Sequence, residues 1–158
     1  MHGGSVDPLP AAAYRAGAMA IPERWRGMRP LPADIADRLS RLADLFRRRG
    51  VRLAYVFGSA ARGGAADDVD LAVLMREGST LSLFADVARA LETDRIDLVD
   101  LAYASPLLRF SVARDGRVLF RESAEAENEF ELAAIREYRD TRFHREVQDR
   151  YVRERARR

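Results

Sequence analysis

The chain has 158 residues, 47% hydrophobic and 33% charged, with a formal net charge of +2; this suits one domain with an ordinary core and argues against a dedicated nucleic-acid binder. It has no cysteine, which excludes disulfides and thiolate metal sites, and no lysine, so all 27 basic residues are arginine and any phosphate clamp must use planar guanidinium groups. No apolar run is long enough to cross a membrane, and a soluble, cytoplasmic protein is expected.

Residues 1–31 are rich in Gly, Ala and Pro and lack periodicity. They predict a disordered leader or, given Met19 and Met28, an overextended start, with the domain beginning at Pro32. From there Ile35, Leu39, Leu42, Leu45 and Phe46 recur at helical spacing until Gly50, which predicts one amphipathic helix. A strand follows over residues 51–57, with Val51, Leu53, Tyr55 and Phe57 alternating against Arg52, Ala54 and Val56. A second strand starts at Asp68. Its Val69, Leu71, Val73 and Met75 form a wholly apolar face, and the opposite face opens with two acids and turns apolar further along.

Leu81, Phe84, Val87, Ala88 and Leu91 define a second helix capped by Ser79 or Thr80. Residues 95–101 read as a third strand. Ser105-Pro106 then opens a short helix that Gly116 ends, and residues 117–120 give a final strand. Residues 122–158 form a charged helical tract with a sparse apolar stripe at Phe130, Ala134, Tyr138, Val147 and Tyr151. Such a stripe suits packing either on the domain or on a partner. Its end carries seven arginines against three acids from Arg142 to Arg158, read as a solvated helix end, and His144 reads as a surface residue.

The chemistry concentrates in Tyr55 to Leu74, YVFGSAARGGAADDVDLAVL. Gly58 allows a sharp turn and close approach to a phosphate, and Ser59 offers a hydroxyl and an amide where the next segment begins. Asp68 and Asp70, two apart on a strand, point to one face, where paired carboxylates suit a hard cation such as Mg²⁺. On the third strand Asp97 shares a face with Val99 and Leu101, whereas Asp100 points the other way with Ile96 and Leu98 and reads as edge punctuation.

The segments Phe57-Gly58-Ser59, Ala61-Arg62-Gly63 and Asp68-Val69-Asp70-Leu71 resemble the minimal nucleotidyltransferases (MNT) of the DNA polymerase β-like superfamily. The eight residues between Ser59 and Asp68 make a shorter loop than is usual there, and Asp67 stands where Ser is common. The resemblance implies an α/β (α+β) fold, a small mixed sheet with helices on one face and an acidic cleft on the other, ending in a long C-terminal helix. It divides the chain into a leader (1–31), a nucleotidyltransferase domain (32–121) and a C-terminal helical segment (122–158).

It also implies transfer of AMP from ATP to a hydroxyl, with release of pyrophosphate and two Mg²⁺ ions in the site. Asp68, Asp70 and Asp97 would be the catalytic and metal-binding carboxylates, Asp97 activating the acceptor. Gly58, Ser59 and Arg62 would bind the nucleotide. The small size and the C-terminal tract resemble the antitoxin of HEPN/MNT toxin–antitoxin pairs, which implies a HEPN ribonuclease partner modified on a tyrosine, with no direct binding to nucleic acid. Two alternatives stay open: a transferase acting on a small aminoglycoside-like substrate, and a catalytically inactive antitoxin that neutralises by binding.

Overall fold

The computed structural model describes residues 23–61 and 66–142. Among the described residues four strands, β1 (Val51–Val56), β2 (Val69–Met75), β3 (Ile96–Asp100) and β4 (Arg117–Arg121), form one mixed sheet in the order β3-β2-β1-β4. β1 pairs antiparallel with both β2 and β4, while β2 and β3 run parallel. A parallel pair needs a crossover, and here the crossover contains the helix α4 (Thr80–Leu91).

The face of β2 made by Val69, Leu71 and Val73 is fully buried. It meets the apolar sides of α1 (Ile35–Ser40), α2 (Ala43–Arg48) and α4 in the larger of two cores, with Ile35, Leu39, Phe46, Leu83, Val87 and Leu91. The second face is acidic at one end and apolar at the other. Its apolar end, with Leu53, Tyr55 and Ala72, is covered by α5 (Pro106–Asp115) and α6 (Ala124–Asp140) through Val112, Ala126 and Phe130. Phe130 lies 5.7 Å from the Tyr55 ring, and Tyr138 stacks on Phe110 at 4.1 Å. The described part of the C-terminal tract thus packs on its own domain.

Three serines cap helices as their type predicts. Ser79, Ser105 and Ser123 accept from the backbone N–H groups of Ser82, Leu108 and Ala126, at the starts of α4, α5 and α6. Of the two residues offered as the cap of α4, Ser79 takes the role.

Three expectations are corrected. The single helix over 32–50 is two short ones, α1 and α2, separated by Arg41 and Leu42, although no Gly or Pro marks the break. In β1 a register shift between Val51 and Leu53 sends Val51 into the larger core with Ala54 and Val56, while Leu53 and Tyr55 face the smaller one. In α4, Leu81 is 79% exposed and Leu83 is buried in its place. Two residues turn a helix by about 200°, so both leucines cannot share a face, and Leu83 is the one aligned with Val87 and Leu91.

The packed chain also reaches further back than Pro32. Residues 23–31, grouped with the leader on composition, contain a short 3-10 turn at Glu23–Trp25, and Trp25 is buried.

Candidate active site

The site lies where β1 ends beside the start of β2. β1 delivers Phe57 and Gly58, and the Phe57 N–H donates to the Asp70 carbonyl at 3.1 Å, extending the antiparallel pairing one residue past the strand. Gly58 then takes φ +71°, a left-handed conformation that glycine adopts without strain, and α3 (Gly58–Ala61) begins at once. A β-carbon on Gly58 would overlap Asp70 Oδ2 and stand 2.9 Å from Asp70 Cγ. The glycine is therefore required twice, for its backbone angle and for the room it leaves Asp70.

Asp70 faces away from the larger core, because its strand neighbours Val69 and Leu71 are both buried there. Asp68 stands two residues earlier, just ahead of β2, with a side chain 13% exposed. In the parallel pairing Asp97 is the direct partner of Asp70, and directly paired residues put their side chains on the same face. The structure thus brings Asp70 and Asp97 side by side, with Gly58 against Asp70 and Ser59 next in the chain. Arg62 lies outside the described residues, as do Gly63 and His144.

Asp100 plays a structural part. Its Oδ2 accepts from the Thr80 hydroxyl at 2.8 Å and its Oδ1 from the Ala102 N–H at 2.9 Å, so it ties the end of β3 to the start of α4.

Asp68 has two further partners that sequence reasoning missed. Its Oδ2 accepts from Arg24 Nη2 at 2.8 Å and from the Trp25 indole N–H at 3.1 Å. Arg24 also lies over the Trp25 ring, 4.9 Å from its centroid. The segment is fastened beyond this point. Arg29 makes a two-pronged ion pair with Asp94 at 2.9 and 2.8 Å, and the Thr93 hydroxyl donates to the Arg29 carbonyl at 2.8 Å. That guanidinium holds the Asp94 carboxyl below its usual range. The one signal available in the sequence was the sole tryptophan, flanked by arginines in an otherwise small-residue stretch.

The donor chemistry fits a divalent cation. Asp68 and Asp70 are hard oxygen donors, and the space Gly58 leaves is filled by a carboxylate. Among the described residues no three acidic or imidazole groups gather closely enough to cage an ion. Mg²⁺ is commonly held by one or two carboxylates completed by substrate phosphates, a donor set that two aspartates can supply.

The polymerase β nucleotidyltransferase family matches residues 40–125. None of the curated proteins matches the chain. Among solved structures, the chain is similar to a mutant of the toxin–antitoxin complex MntA-HpeT, with 30% identity and a TM-score of 0.60 over 69% of this chain and 92% of that one. It is similar to a toxin–antitoxin structure with AMP-PNP, with 28% identity and a TM-score of 0.64 over 72% of this chain and 97% of that one. A complex of tri-AMPylated Shewanella oneidensis HEPN toxin with MNT antitoxin gives 27% identity and a TM-score of 0.61 over 75% and 98%. With the Gly58 turn and the Asp68/Asp70 pair on a sheet of matching fold, the chain belongs to the polymerase β nucleotidyltransferase family, in its minimal, MNT branch.

Proposed function

We propose that this protein is the antitoxin of a HEPN/MNT pair and transfers AMP from ATP to a tyrosine hydroxyl of its HEPN ribonuclease partner. The observation that carries the proposal is the juxtaposition of Gly58, Asp70 and Asp97 at one end of the sheet. Support for a HEPN toxin as the acceptor protein comes from the relatives, which include a complex of MNT antitoxin with tri-AMPylated HEPN toxin and a toxin–antitoxin structure with AMP-PNP; the tyrosine is carried by the family resemblance alone.

Asp68 and Asp70 would hold Mg²⁺, which when bound neutralises charge on the phosphates and orients them. The turn at Gly58 brings backbone close to the triphosphate, and the Ser59 hydroxyl and N–H, with Arg62, bind its terminal phosphates. The acceptor oxygen attacks the α-phosphorus in line, the bond to the bridging α–β oxygen breaks, and pyrophosphate leaves with that oxygen. Asp97, exposed beside Asp70, takes the proton of the attacking hydroxyl.

One observation favours a second reading, neutralisation by binding alone: Arg24 and Trp25 already occupy Asp68 Oδ2. Co-expression with the toxin separates the two. Transfer chemistry predicts that Asp68→Asn and Asp70→Asn each restore toxicity. Rescue of growth by both variants would establish neutralisation without chemistry.

A further inference from the structure

The segment 23–29 lies outside the stretch matched by the nucleotidyltransferase family, which begins at residue 40, yet it reaches the acidic pair. Its two contacts on Asp68 differ in kind. Trp25 is 7% exposed and fixed, so its indole N–H holds the carboxylate in one orientation. Arg24 has a side chain 62% exposed, and its guanidinium sits on the same oxygen, placing a full positive charge against a carboxylate that would hold the divalent cation.

A hard cation and a guanidinium compete for the same oxygen lone pairs and repel each other at that range. The guanidinium end of the pair is open to solvent, where water can take its place, although the carboxylate is largely covered. The guanidinium already lies over the Trp25 ring, so it keeps one favourable contact after it leaves the oxygen. The Arg29–Asp94 pair and the Thr93 hydrogen bond hold the segment in place meanwhile, so the exchange needs movement of one side chain only.

We propose that Arg24 is a built-in counter-cation of the active site, which occupies Asp68 until a divalent cation displaces it and so sets the metal concentration at which the enzyme becomes competent. The proposal rests on Asp68 and Asp70 being the metal ligands.

Mn²⁺ binding to the full-length protein, followed by the electron paramagnetic resonance of free Mn²⁺, tests both levels without any turnover. Arg24→Gln and Arg24→Ala remove the charge from an exposed side chain, and circular dichroism checks that the fold is kept. Both variants should bind Mn²⁺ at least roughly fivefold more tightly than the parent, the loss of one ion pair that is open to solvent on its guanidinium side, while Asp70→Asn should lose binding. Unchanged or weaker binding by the Arg24 variants, with Asp70→Asn still defective, would overturn the counter-cation role and leave the metal assignment standing. Parental binding by Asp70→Asn would remove the metal assignment and this inference together.

Discussion

Gly58 and Asp70 are fitted to each other: the left-handed turn at Gly58 leaves a space the size of one β-carbon, and the Asp70 carboxylate fills it. Gly58→Ala must therefore either push Asp70 aside or reshape the turn. Left-handed strain costs about 1–2 kcal/mol, which chemical denaturation would read as a modest loss of stability. Misplacing a catalytic group by about 1 Å costs about 100-fold in rate, so transferase activity should fall far more than stability does.

The exchange of Leu81 for Leu83 in the core can be measured directly. Leu83→Ala empties a fully buried position and should cost about 2–5 kcal/mol in urea denaturation. Leu81→Ala, at a position 79% exposed, should stay within about 0.5 kcal/mol of the parent. Equal losses would mean that α4 is rotated.

The Arg29–Asp94 pair makes a prediction with a definite sign. Arg29 lowers the Asp94 pKa, so the stabilisation from this exposed pair is present above the unfolded aspartate value and is lost as pH falls through the lower folded value. Carbon-detected NMR should give an Asp94 midpoint below the ordinary value of about 3.9, returning to it in Arg29→Ala. A parental midpoint at the ordinary value would mean that the segment is not anchored there.

Much of the fold was legible because its signals are periodic or local. The apolar face of β2, the serine caps and the Gly-Ser turn ahead of two alternating aspartates need only neighbouring residues to be read. Strand alternation put Asp97 and Asp100 on opposite faces of the third strand, the choice of Asp97 came from the family resemblance, and its place beside Asp70 required the sheet. The break at Arg41 and Leu42 and the bulge between Val51 and Leu53 were hidden, since the apolar spacing runs on through both and no Gly or Pro stands at either. Arg24 and Trp25 were hidden for another reason. Their partner Asp68 is more than forty residues away, and two isolated side chains carry no periodicity.

The most direct test of nucleotidyl transfer is the intact mass of the purified HEPN partner after incubation with this protein, Mg²⁺ and ATP, beside a parallel reaction with Asp70→Asn. The partner should gain whole AMP increments with the parent and none with the variant. A partner that is inactivated in a stable complex while its mass stays unchanged would contradict transfer and make the acidic pair an inherited scaffold.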